Sequence, residues 1–155
     1  MKVNYKKILL FVFILLLWCL SGLLFRVNTE FYDMLKLPSF TLDGKYISII
    51  WFVIYILNTT SIILIINKKN MFKEYDYMYI LFTNYFANQL FMYLFFYLMS
   101  PFLGFIMTII IFVSSIFLFI ETNKLYKKSS YFLIPYIIYN IYAVILMTSI
   151  YFMNF

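Results

Sequence analysis

Aromatic and amide side chains recur at intervals of three or four residues in three apolar segments of the sequence. Residues at this spacing share one face of a helix. Aromatic faces of this kind stack on a flat, largely apolar molecule, and a few amides would orient it. The pattern therefore predicts a binding cavity, with plain packing and hydrogen bonding between helices as the alternative for any one residue. The residues are Trp51, Tyr55, Asn58, Thr59, Asn84, Asn88, Gln89, Phe91, Pro135, Tyr139, Tyr142 and Ala143.

Other kinds of chemistry lack the residues that they need. The chain has no histidine, a single cysteine (Cys19) and six scattered acidic residues, so we expect neither a metal site nor a Ser/His/Asp or Cys/His nucleophile. No charged residue lies deep in an apolar segment, whereas ion-coupled transporters generally need buried ionisable groups. We therefore assign no catalytic residue, metal or required cofactor at this point, and we favour a binding protein.

The elements that must position these residues are membrane-spanning helices. The chain is 66% hydrophobic and 12% charged, against about 45–50% and about 25% in soluble proteins. Its apolar runs are each about as long as a helix that crosses a hydrocarbon core about 30 Å thick. The sequence thus predicts an all-α, integral membrane five-transmembrane-helix bundle, as one domain over residues 1–155. The runs are Ile8 to Phe25, Tyr46 to Ile66, Tyr77 to Met99, Phe102 to Ile120, and Tyr131 to Met153.

The first apolar run and the longest connection refine this prediction. The first run could be a secretory signal peptide, but it is long for one, and no small-residue cleavage site follows it. The longest connection, residues 26–45, contains Pro38, Gly44 and the pair Phe31-Tyr32. We expect this connection to fold over the mouth of the bundle rather than to serve as a plain linker.

The basic residues predict the orientation in the membrane. With five spans, nine of the twelve basic residues fall on the side of the N-terminus. The positive-inside rule then places the N-terminus in the cytoplasm, with the C-terminus and residues 26–45 outside. Because the basic residues lie in short loops rather than along one face, nucleic-acid binding is not expected. The nine residues are Lys2, Lys6, Lys7, Lys68, Lys69, Lys73, Lys124, Lys127 and Lys128.

Several short motifs resemble those of one known family. Residues 31–41 (FYDMLKLPSFT) lead into residues 50–57 (IWFVIYIL), and Asn88-Gln89, the turn Ser100-Pro101 and residues 133–139 (LIPYIIY) follow in order. Together they are similar to the signature of the tryptophan-rich sensory protein/translocator protein (TspO/MBR) family, also called peripheral-type benzodiazepine receptors. The resemblance covers nearly the whole chain, with five helices in register.

The resemblance implies a five-helix bundle, often a homodimer, whose pocket lies under the first loop (residues 26–45 here). This pocket binds porphyrins such as protoporphyrin IX or related haem-pathway tetrapyrroles, haem included. The resemblance also implies possible binding of sterols and of synthetic isoquinoline or benzodiazepine ligands. Carried over by position, the ligand-binding residues are Tyr32, Pro38, Trp51, Tyr55, Asn88, Phe91, Tyr139 and Ala143.

The sequence departs from the family pattern at several places. Leu42-Asp43 stands where the family has a double proline, and Tyr139 where it usually has tryptophan. Tyr93 and Phe96 stand where many members have asparagine and tryptophan. The sterol-recognition pattern needs a basic residue after Tyr151, and this chain has none there, so sterol binding should be weak.

These observations predict a membrane receptor or sensor for porphyrins, acting in tetrapyrrole homeostasis or stress signalling. One alternative is a light-dependent porphyrin-degrading enzyme, in which Trp51 would be the catalytic residue; such activity should be weak, because Tyr139 replaces the second indole. A passive transporter of porphyrin or lipid is the other alternative. The composition, rich in Lys, Asn and Ile, suggests an AT-rich bacterial genome and hence a bacterial cell membrane.

Overall fold

All five predicted spans are helical in the computed structural model, which describes residues 5–155. Over that range the structure contains no strand, and the all-α fold class is confirmed. Lys2, which the orientation argument counts, lies outside the described residues. The helices are α1 (Tyr5–Leu24), α2 (Thr29–Met34), α3 (Gly44–Ile66), α4 (Tyr75–Met92), α5 (Pro101–Leu125), α6 (Lys127–Ser130) and α7 (Ile134–Met153), with 3-10 turns at Met71–Lys73 and Tyr131–Leu133 and a π-helical turn at Tyr93–Tyr97.

Four helical segments are long and apolar enough to cross a membrane, namely α1, α3, α5 and the segment Lys127–Met153 that contains α6 and α7. The fifth span is α4, which the π-helical turn continues to Tyr97; it is more polar because it carries three amide side chains. Helix α5 runs past its predicted end at Ile120 to Leu125. Beyond the predicted end it carries an ion pair one turn apart, with Lys124 Nζ 2.6 Å from Glu121 Oε1.

Residues before three helices explain where those helices begin. The side chain of Asn28 accepts a hydrogen bond from the Phe31 N–H (3.0 Å), and that of Asp43 accepts one from the Lys45 N–H (2.8 Å). Ser100 Oγ accepts from the Leu103 N–H (3.3 Å), and Pro101 occupies the first turn of α5. Such caps satisfy donors that a helix start leaves unpaired.

The helices form a ring in the order α3, α1, α4, α5, α7. Helix α1 packs on α3 and α4, and α5 packs extensively on both α4 and α7. The ring closes between α7 and α3, where the backbones approach mainly through α6 and the 3-10 turn that precedes α7. Along the rest of α3 and α7, the gap is bridged by aromatic side chains.

The bundle has two ends, and most of the lysines lie at one of them. We call the end formed by residues 5–7, 67–74 and 124–131 the lysine-rich end, and the end formed by residues 25–43, 98–100 and 154–155 the loop end. At the loop end, the Asn154 side chain accepts from the Lys36 N–H (2.9 Å) and donates to the Lys36 carbonyl oxygen (3.0 Å). The C-terminus and the first loop are therefore on the same side of the bundle.

Candidate ligand-binding site

Trp51 lies at the centre of an aromatic cluster between α3 and α7. Its ring centroid is 5.7 Å from that of Tyr55, 6.1 Å from that of Tyr136 and 5.4 Å from that of Tyr139, the last in an edge-to-face contact at 88°. The next residue, Phe52, is 50% exposed on the outer face of α3. Trp51 therefore faces the bundle interior, which argues against an interfacial tryptophan that points to lipid.

A second aromatic cluster lies beneath the first loop. Phe91 stacks on Phe95 with ring centroids 5.5 Å apart, and Phe31 of α2 contacts Phe95 edge to face at 5.5 Å. Tyr32 contacts Phe96 at 6.2 Å. Burial raises the pKa of Tyr32, with a smaller contribution from Tyr142, so its hydroxyl remains protonated at neutral pH. Phe91 packs against both clusters and joins them.

The first loop is held over these rings by Tyr142. Its hydroxyl accepts from the Leu42 N–H at 3.1 Å and donates to the Phe40 carbonyl oxygen at 3.4 Å. The rings of Tyr139 and Tyr142 are 5.5 Å apart, so the residue that holds the loop touches the Trp51 cluster. This geometry agrees with the prediction that residues 26–45 fold over the mouth of the bundle.

Asn88 belongs to a buried hydrogen-bond network. Its Nδ2 donates to the Asn84 carbonyl oxygen (2.8 Å) and to the Tyr136 hydroxyl (2.7 Å), and that hydroxyl donates to Asn84 Oδ1 (3.0 Å). Asn84 Nδ2 donates in turn to Ser114 Oγ (2.8 Å). One bond of Asn88 Nδ2 thus lies within α4 and the other joins α4 to α7.

The Gln89 side chain bonds to the backbone of α1. Its Oε1 accepts from the Ser21 N–H at 2.7 Å, and its Nε2 donates to the Trp18 carbonyl oxygen at 3.4 Å. Both contacts tie α4 to the backbone of α1. Two other amides, those of Asn58 and Asn140, are fully buried and make no side-chain hydrogen bond within residues 5–155.

The structure brings most of the predicted binding residues together, and their role as ligand contacts stays a prediction. Trp51, Tyr55 and Tyr139 are in one cluster, and Phe91 links it to Tyr32. Asn88 bonds to Tyr136 of the Trp51 cluster. The remaining two, Pro38 in the loop and Ala143 beside Tyr142, are half-buried.

The eight residues carried over from the family do not include Tyr136, Tyr142, Phe95 or Phe96, which the structure places beside them. Helical spacing had already indicated Tyr142, and Tyr136, three residues before Tyr139, could have been identified in the same way. Phe95 and Phe96 lie in the π-helical turn Tyr93–Tyr97, where α-helical spacing does not apply.

The chain is similar to known proteins along nearly its whole length. The model of the TspO/MBR family matches residues 8–153. The "Tryptophan-rich protein TspO" of Bacillus cereus is 32% identical over 151 residues, covering 96% of this chain and 98% of that protein. The "Uncharacterized membrane protein YtaB" of Bacillus subtilis is 29% identical over 154 residues, covering 99% of each chain.

Proposed function

Because this chain belongs to the TspO/MBR family of membrane proteins, we propose that it is a membrane receptor that binds porphyrins between α3, α4 and α7, beneath the first loop. The observation that carries the proposal is the aromatic cluster around Trp51. It presents aromatic rings from α3 and α7 where the backbones of these two helices make few direct contacts.

The chemistry of the site suits a porphyrin. A conjugated macrocycle stacks on indole and phenol rings, and the Asn88 amide would supply a polar contact beside them. Three basic side chains are exposed on this side of the bundle, Arg26 and Lys36 at the loop end and Lys45 in the first turn of α3. They would pair with the two propionates of the macrocycle, a charge pattern that a sterol lacks.

Binding requires the site to open. The rings of Trp51 and Tyr139 are in direct contact, so a macrocycle enters only if they part. Since Tyr142 contacts Tyr139 and also bonds to the loop backbone, movement of the rings and lifting of the loop are expected to occur together. A ligand-dependent change in the loop is the property that a sensor needs.

The experiment that tests this function is a titration of the purified protein in detergent with protoporphyrin IX, haem and cholesterol. We expect saturable shifts of the porphyrin absorbance band and quenching of tryptophan emission, with cholesterol binding at least about tenfold weaker because no basic residue follows Tyr151. Cholesterol affinity equal to that of protoporphyrin IX would contradict the proposed selectivity. Absence of saturable porphyrin binding would reject the function itself.

The lysine-rich end is proposed to face the cytoplasm of a bacterial cell membrane. Single cysteines introduced at Ser39 and at Asn70, each in a Cys19→Ser background, test this orientation. Both positions are exposed and lie at opposite ends of the bundle. On intact cells, a membrane-impermeant maleimide should label the cysteine at position 39, and should label position 70 only after the cells are lysed. The reverse pattern would show the opposite orientation.

A further inference from the structure

A separate cavity lies between α1, α3 and α4 toward the lysine-rich end. Its volume is about 690 Å³. Phe13 and Phe82 at its edges are 58% and 50% exposed, so it is a groove that opens toward lipid at the side of the bundle. Its wall is apolar, formed by residues such as Leu10, Ile14 and Ile66, until it reaches Lys69 and Asn70 at the membrane surface.

The way α1 is attached explains why the groove exists. Toward the loop end, the Tyr85 hydroxyl donates to the Leu17 carbonyl oxygen (3.1 Å), and Gln89 accepts from the Ser21 N–H (2.7 Å). From Tyr5 to Leu16, the structure shows no side-chain hydrogen bond between α1 and the other helices. Helix α1 is thus fixed at one half, and at its other half the groove separates it from α3 and α4.

The dimensions of the groove match one lipid leaflet. Leu10 and Trp18 both line it, and at about 1.5 Å per residue their separation along α1 is about 12 Å. Half of a hydrocarbon core is about 15 Å deep. A single extended acyl chain would therefore run from the membrane surface at Lys69 to the ring of Trp18.

The charge at the mouth selects the kind of lipid. Lys69 has no carboxylate within ion-pair distance among residues 5–155, and Lys68 and Lys73 lie on the same loop. An ammonium group and an amide side by side form a site for a phosphate oxygen. We propose that this groove binds one acyl chain of an anionic phospholipid from the leaflet at the lysine-rich end, with its phosphate against Lys69 and Asn70.

Two other occupants would give different results. A neutral lipid would leave Lys69 without an anionic partner, and no preference for anionic lipid would be seen. A second copy of the chain would exclude lipid from the groove, so that no lipid would quench Trp18. The groove and the Trp51 cluster share no lining residue, and they meet where Trp18 stacks on Tyr55 with ring centroids 5.7 Å apart.

Brominated lipids provide a direct test. In a Trp51→Phe variant, Trp18 is the only indole, and bromine on an acyl chain in the groove would quench its emission by contact. The protein is reconstituted in vesicles that contain increasing fractions of chain-brominated phosphatidylglycerol or chain-brominated phosphatidylcholine. We expect phosphatidylglycerol to reach half-maximal quenching at a fraction about fivefold lower, the factor expected for one lysine beside an anionic headgroup.

Two matched variants identify the source of this preference. Lys69→Gln should remove it, whereas Lys128→Gln, an exposed lysine at the same end on α6, should retain it. Equal quenching by the two lipids, or a preference that survives Lys69→Gln, would overturn the proposal. Absence of quenching by either lipid would mean that something other than lipid covers the groove, which also overturns it.

Discussion

Replacing Trp51 with alanine is expected to weaken protoporphyrin IX binding about tenfold or more. The indole faces the bundle interior and contacts three tyrosines from α3 and α7, so a bound macrocycle that parts these rings would lie against it. Loss of a buried aromatic contact costs about 1.5–3 kcal/mol, and about 1.4 kcal/mol is a tenfold change in Kd. The affinity is measured from the porphyrin absorbance band, which does not depend on tryptophan emission.

The matched control for this variant is Phe52→Ala. Phe52 is the next residue on α3, at nearly the same depth, but it is 50% exposed on the outer face, so its loss should leave Kd within about twofold. A Trp18→Phe variant adds a second measurement, since its remaining emission comes from Trp51 and should be quenched saturably by porphyrin. Equal affinities for Trp51→Ala and Phe52→Ala would place the ligand elsewhere and reject the assignment of Trp51.

The parts of the structure that could be predicted from sequence are those set by local rules. Span length follows from bilayer thickness, and the starts of α3 and α5 follow from Asp43 and from Ser100-Pro101. The face shared by Trp51, Tyr55 and Asn58 follows from helical spacing. These features depend on residues that are close together in the chain, so the sequence contains the necessary information.

The parts that could not be predicted depend on contacts between distant residues. In a membrane, lipid-facing and buried positions are both apolar, so nothing in α1 distinguishes Trp18, which is 2% exposed, from Leu16, which is 54% exposed. The groove beside α1 and the bond from Gln89 to the α1 backbone were therefore not foreseen. Nor was the π-helical turn Tyr93–Tyr97, because the aromatic residues there carry no signal for an irregular helix.

Close packing at Gly104 is another feature that the sequence did not reveal, and it gives the second large effect. A Cβ atom at this position would lie 2.6 Å from Phe95 Cδ2, 2.9 Å from Met147 Cε and 3.1 Å from Phe95 Cβ. The end of Met147 can move, but Phe95 is 2% exposed and is packed between Phe31, Phe91 and Phe96. A larger side chain on α5 must therefore displace the ring on which the second aromatic cluster is built.

Gly104→Leu is accordingly expected to destabilise the protein by about 1–3 kcal/mol or more, the usual cost of overpacking. This exceeds the gain of up to about 1 kcal/mol from replacing glycine in a helix. Gly22→Leu is the control, because a Cβ at Gly22 meets no atom within 4 Å. Thermal unfolding in detergent is measured as the loss of the monodisperse chromatography peak on heating. Its midpoint should be several degrees lower for Gly104→Leu than for Gly22→Leu. Equal unfolding midpoints would show that Phe95 can move at little cost and that the second aromatic cluster is not rigid.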